Sequence, residues 1–288
     1  MNERWLITIF SLFAVLLYAN SITGDYLIDD TFLVRDNPYI ENLSNFISYF
    51  TAENKEFGRP IRLFSFYLDT ALFGKNNIGY HISNIFYYLI FCILAYFFCQ
   101  LLFRKQYLSI LVTLLFIAHP LHTEGVAYIS GRKDVLGGIF SFASLMCFIL
   151  YSRNGIKRDM LLTLLFFLLA IASKEIYAIL PFLYLAVEYY LGGDFRKNKL
   201  FFTGLIGLAV IFLLYVILFR NRIFFDYFHT IPVYGNNQAV NFPTAIKICG
   251  YILYLTFFPF SLSADYTFNT IKRINFSDPI FLFRYQDF

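Results

Sequence analysis

Long apolar runs separated by short charged links organise the chain from end to end, at 5–22, 80–103, 107–118, 136–151, 160–172, 176–191, 200–219 and 245–262. Such unbroken runs predict bilayer-crossing helices, each needing about 20 apolar residues, rather than barrel strands, which would alternate. Several are short for a span, so tilt, local thinning or extension through flanking polar-aromatic residues makes up the length. The first run, behind Glu3 and Arg4, also reads as a signal peptide with Ala19-Asn20-Ser21 as its cleavage site. The expected fold class is all-α, a polytopic membrane helical bundle. Residues 1–268 form one membrane domain and 269–288 a short tail, with no internal repeat or linker.

Composition sharpens this picture. Of 288 residues, 59% are hydrophobic, 22% aromatic and only 15% charged, with mean hydropathy +0.61. A soluble domain carries roughly a quarter charged residues, so disordered and ordinary cytosolic classes are excluded. The net charge of +4 is too small and scattered for nucleic-acid binding. Cys92, Cys99, Cys147 and Cys249 all lie inside apolar runs, which argues against a disulfide scaffold or zinc site. Arg4, Arg104-Lys105, Arg153, Lys157, Arg158, Arg196, Lys197 and Lys199 crowd into links on alternate sides. They mark the cytosolic face by the positive-inside rule. The extracytoplasmic side then receives the long loop 23–79, the link 119–134, the Ser173-Lys174-Glu175 turn and the loop 220–243.

Within the first loop, Pro60 is suited to begin a helix. Ile61, Phe64, Leu68 and Leu72 recur at helical spacing, with Arg62 and Asp69 off that stripe. This predicts an interfacial helix over 60–72; a small globular excursion is the alternative. Earlier in the loop stand Asp29 and Asp30, adjacent carboxylates at a membrane boundary. Their mutual repulsion raises the pKa of at least one, which suits a general base. A solvated turn, a cap for a helix starting near Thr31, and a divalent cation held between the two acids are the other readings.

The link 119–134 carries His119, His122 and Glu124, then Arg132 and Asp134. The histidines are three apart, but Pro120 interrupts the helix and the zinc-protease signature is absent. A hydrogen-bonded loop is favoured over a metal site. Arg132, at the mouth of a bundle, suits bidentate phosphate binding or snorkelling to lipid headgroups. Lys174 and Glu175 lie between two apolar helices, where charges are paired or functional. Adjacent side chains on a helix diverge, so each requires a partner elsewhere; Lys174 suits a phosphate or a structural brace. All of these clusters share the extracytoplasmic side, as transfer from a lipid-phosphate donor would require. No nucleotide-binding loop or serine elbow is present.

In order and spacing, these motifs resemble the membrane domain of the transmembrane and tetratricopeptide-repeat O-mannosyltransferases, a GT-C glycosyltransferase family. The likeness runs through Asp29-Asp30 with Asn37-Pro38, Arg59-Pro60, Gly79-Tyr80-His81 with Asn84, and His119-Pro120-x-His122-x-Glu124. It continues with Gly131-Arg132-x-Asp134, Lys174-Glu175 with Pro181, and Leu262-Ser263-x-Asp265-Tyr266. The resemblance implies inverting transfer of a sugar, mannose in the best-known members, from a polyprenyl or dolichyl phosphate to a protein Ser/Thr hydroxyl. It also implies that one acid of the Asp29-Asp30 pair is the base, and a membrane-parallel helix in the first loop. Arg132 and Lys174 are the expected donor-phosphate ligands on chemical grounds. Arg59, His81, His119, His122, Glu124, Glu175 and Asp265 are the expected supporting residues.

Two features depart from the family pattern. The 22 residues after Tyr266 show no helical repeat, so the chain reads as a fragment or a reduced homologue. A simple crossing by 245–262 would carry Asp265 to the cytosol, so that segment is re-entrant or Asp265 lies outside the site. Two rival functions remain: a carrier or flippase for lipid-linked sugars, and a non-catalytic membrane scaffold.

Overall fold

The computed structural model describes residues 2–49, 59–193, 205, 238–260 and 262. The chain divides into two compact units, Met1–Ile217 and Leu218–Phe288. The first is a bundle built from α1 (Glu3–Tyr18), α5 (Asn77–Phe103), α6 (Gln106–Ile117), α8 (Arg132–Asn154), α9 (Lys157–Ser173) and α10 (Leu180–Tyr190). Before α5 come α2 (Ile28–Asp30), running into a π-helical turn at Thr31–Arg35, then α3 (Leu43–Tyr49) and α4 (Pro60–Phe73); α7 (His122–Ala127) lies between α6 and α8. Among the described residues there is no strand. In the second unit, α11 (Gln238–Phe257) covers most of the apolar run 245–262. Of the run 200–219, only Leu205 is among the described residues.

Among the described residues, three segments are long and apolar enough to cross a membrane: Glu3–Thr23, Asn77–Phe103 and Ile129–Asn154; Gln106–Ile117 and Ile246–Phe257 are shorter apolar helices. The chain is thus an integral membrane protein built as an all-α bundle. Its spans begin earlier than their apolar runs. Asn76 accepts from the Ile78 N–H and starts α5, while α8 opens on Arg132, Lys133 and Asp134, residues the sequence placed in a link.

The core lies along α5 and α8. Leu6, Phe10, Ala14 and Tyr18 recur every four residues on α1 and bury one face against Tyr88, Cys92 and Tyr96 of α5. Phe10 packs at a tilt against Tyr96 and Tyr18 meets Tyr88 edge-to-face, so α1 runs antiparallel to α5. The second cluster joins Leu145, Phe148 and Ile149 of α8 to Phe167 and Ala170 of α9 and Tyr184 of α10. Arg153, at the end of α8, donates to the Leu101 carbonyl near the end of α5 at 2.6 Å. The basic links after α5 and after α8 therefore share one end of the bundle, towards which the start of α1 also points.

At the opposite end, the first loop folds over the helix mouths around Leu33, Val34, Ile40, Leu63, Phe66, Tyr80 and Ile129. Helix α4 starts at Pro60, as the sequence predicts, but its faces are reversed from those of a helix on a soluble domain. Phe64, Leu68 and Leu72 are exposed, while Arg62, Ser65, Phe66 and Asp69 are buried against the bundle. That distribution suits a bilayer surface, where lipid covers the apolar stripe.

Candidate functional site

The two adjacent acids have different surroundings. Asp30 is 0% exposed. One carboxylate oxygen accepts from the Ser130 N–H at 2.8 Å and from the Ser130 hydroxyl. Its other oxygen reaches back to the Leu27 N–H at 3.1 Å, so Asp30 closes the first turn of α2 instead of capping a helix at Thr31. Burial raises its pKa, and the Ser130 and Leu27 bonds act in the opposite direction. These three donors take up three of the roughly four lone-pair sites of the Asp30 carboxylate. Asp29 is only partly buried; its backbone N–H donates to the Tyr128 hydroxyl at 3.0 Å. Among the described residues its carboxylate has no hydrogen-bond or ion-pair partner, while Arg62 lies within electrostatic reach.

Ser130 ties this loop to the start of α8, and there the next residues diverge. Arg132 is 0% exposed. Its guanidinium stands 2.5 Å from Asp69 and donates to Asn84 at 2.6 Å, Ser65 at 3.3 Å and the Tyr80 carbonyl at 2.9 Å. It also packs over Phe66 and Tyr87. Arg132 thus braces α4 against α5 and α8, with no face turned to a ligand. Asp69, which the sequence left unassigned, is its counter-charge. The signal for it was the spacing of Arg62 and Asp69, two turns apart on the polar face of α4.

Lys174 and Glu175 each find a distant partner. Lys174 pairs with Asp134 of α8, and Glu175 accepts two bonds from Arg59 at 3.0 and 3.1 Å. Residue Lys174 is extended between α9 and a 3₁₀ turn at Glu175–Ile179, so the turn is pinned to both α8 and the start of α4. Tyr177 adds a bond to the Asp134 carbonyl at 2.7 Å. Asp29, Asp30, Arg59, Lys174 and Glu175 therefore gather at one end of the bundle, with Arg132 behind them.

The other expected residues are arranged differently. His81 is buried beside Gly24, where a Cβ would stand 3.0 Å from its Nε2. Asp30 is within electrostatic reach of it. His122 meets the Tyr88 hydroxyl at 3.0 Å through Nδ1, and its ring packs on Phe116 and Phe91. Burial and the neighbouring His119 push its pKa down to about 4, so it is neutral. His119 uses Nδ1 to accept from the Leu121 N–H at 3.3 Å. The carboxylate of Glu124 is exposed, and it is the Glu124 backbone carbonyl that packs tightly against Gly131. A Cβ on Gly131 would lie 2.0 Å from that oxygen. His119 thus lies in the link before α7 and His122 begins that helix, each with a local hydrogen-bond partner. Among the described residues no cluster of three or more His, Cys, Asp or Glu has the arrangement of a metal site. Asp265 lies outside the described residues.

The chain has curated relatives. It is 28% identical over 155 residues to protein O-mannosyl-transferase F38B6.6 of Caenorhabditis elegans, an alignment covering 49% of this chain and 22% of that protein. Human protein O-mannosyl-transferase TMTC2 is 29% identical over 144 residues, 46% of this chain and 17% of its own length. For human TMTC1 the values are 30% over 151 residues, 48% and 17%. The matched region is thus about half of this chain and about a fifth of each relative. No family model matches, and no solved structure does. Over that half, the chain is similar to the O-mannosyltransferases that its motifs resemble.

Proposed function

We propose that this chain, similar over half its length to protein O-mannosyl-transferases, transfers a sugar, most simply mannose, from a polyprenyl or dolichyl phosphate to a Ser or Thr hydroxyl of a protein. The observation that carries this reading is the division of labour between Asp29 and Asp30. Asp30 is a positioning residue, clamped by Ser130 and Leu27. Asp29, whose carboxylate has no bonded partner among the described residues, is the general base.

In the step, the acceptor hydroxyl gives its proton to Asp29 as its oxygen bonds to the anomeric carbon from the face opposite the phosphate. The bond from that carbon to the phosphate oxygen breaks, and its electron pair leaves with the lipid phosphate. The configuration therefore inverts. Cations around the departing oxygen stabilise the charge that develops there. Arg59, Lys174, Glu175 and Asp134 hold the turn after α9 in place, with Arg132 bracing α4 from behind. Transfer on the extracytoplasmic face is supported by the basic links gathering at the other end of the bundle.

The test is to incubate membranes containing the chain with labelled polyprenyl-phosphate mannose and a Ser/Thr-bearing polypeptide. Label is expected on the polypeptide, in alkali-labile linkage. Donor binding without any transfer would overturn the reading in favour of a lipid-linked sugar carrier, and absence of both would point to a scaffold.

A further inference from the structure

One arginine at this end forms no ion pair among the described residues. Arg62 is 6% exposed on the buried face of α4, one turn before Ser65 and two before Asp69, the residues that meet Arg132. Its guanidinium has no hydrogen-bond or ion-pair partner among the described residues, although most of the side chain is buried. Burial and Arg59 push its pKa down to about 10, so it still carries its charge at neutral pH. Asp29, Glu175, Arg59 and Tyr49 lie within electrostatic reach. Lys133, on the first turn of α8, faces the same group: Arg62, Arg59 and Lys174 all lie within its electrostatic reach. Its ammonium contacts the Ser130 carbonyl at 3.4 Å; the Asp134 carboxylate, which is bonded to Lys174, also lies within its electrostatic reach, but Lys133 forms no ion pair among the described residues.

We infer that Arg62 and Lys133 together form the subsite for the phosphate of a lipid phosphodiester. This rests on the function proposed above. Charge balance supports the assignment. Arg59 is paired with Glu175 and Lys174 with Asp134; among the described residues this leaves Arg62, with Asp29 in electrostatic reach, and the neighbouring Lys133 outside any ion pair. Two cations and one carboxylate leave one positive charge, which the single negative charge of a phosphodiester neutralises. After transfer, Asp29 holds the proton and the released lipid phosphate approaches two negative charges, again matching the two cations. The group is thus balanced on both sides of the reaction, whereas a diphosphate donor would bring a surplus negative charge. Arg62 makes no ion pair among the described residues, whereas Arg132, a brace, has its donors taken by Asp69, Asn84 and the Tyr80 carbonyl.

The experiment uses the whole chain in nanodiscs of zwitterionic lipid, with polyprenyl monophosphate as the bound probe and phosphatidylglycerol and inorganic phosphate as competitors. Arg62→Gln should weaken polyprenyl phosphate binding at least tenfold, Lys133→Gln should weaken it less, and Arg62→Lys should restore part of it. Phosphatidylglycerol and inorganic phosphate should not displace the probe at equal concentration. Melting of Arg62→Met should occur at or above the wild-type temperature, since no bonded partner among the described residues is lost. Wild-type affinity in Arg62→Gln, no binding by the wild type, equal displacement by phosphatidylglycerol, or a fall in melting temperature would each overturn the assignment. Binding is read without turnover, so failure of the transfer reaction leaves this result distinguishable.

Discussion

Asp29 and Asp30 have the same side chain and adjacent positions, yet their neighbours give them different chemistry. The donors around Asp30 fix it in place and tie the first loop to α8. Asp30→Asn keeps an oxygen for Ser130 but puts an amide towards the Leu27 N–H, so it should lower thermal stability while leaving measurable transfer. His122 makes a separate prediction. Its folded pKa, about 4, lies below its ordinary value of 6.5, so the unfolded chain takes up the proton first. Stability is therefore full above pH 6.5 and falls as pH drops towards 4, by roughly 3 kcal/mol at most. Melting temperature measured against pH should show this loss in the wild type and a flatter profile in His122→Gln. At this scale the sequence marked which residues carry charge but not which charges are already used. Asp69 lies far from Arg132 in the chain, and only the folded structure brings it to the guanidinium.

The elements were legible where hydropathy alone decides them. The runs 80–103 and 136–151 became the spans α5 and α8 because an unbroken apolar stretch needs no tertiary partner to read as a span, while the run 107–118 became the shorter helix α6. Their polar beginnings were not legible. Arg132, Lys133 and Asp134 look like a link, yet form the first turn of α8 because Arg132 is buried against Asp69 and Asn84. The run 176–191 splits into a 3₁₀ turn and α10, with Pro181 at the start of the helix. Helix α4 was found from its period, and its buried polar face explains why the stripe points outward. The Arg132–Asp69 pair that seats α4 should be sensitive to half-removal. Arg132→Met alone should cost roughly 3–5 kcal/mol, and Arg132→Met with Asp69→Leu should recover much of it, as a double-mutant cycle on thermal stability would show. Gly131→Ala places a Cβ against the Glu124 carbonyl. It should shift the start of α8, and with it Ser130, reducing transfer and stability together.

Across the whole bundle, scarce charges divide between two ends. The basic links after α5 and α8 meet at one end, as the Arg153 bond to Leu101 shows; the acids, the paired cations and Arg62 gather at the other. The account turns on Asp29 as the base within that second group. Its most direct test compares wild type and Asp29→Asn, purified and saturated with polyprenyl-phosphate mannose, for donor affinity and for the rate of a single turnover onto a Ser/Thr polypeptide. The account predicts donor binding within a few-fold of wild type and a rate at least about 100-fold lower. An Asp29→Asn protein that binds donor normally and transfers at the wild-type rate would contradict it.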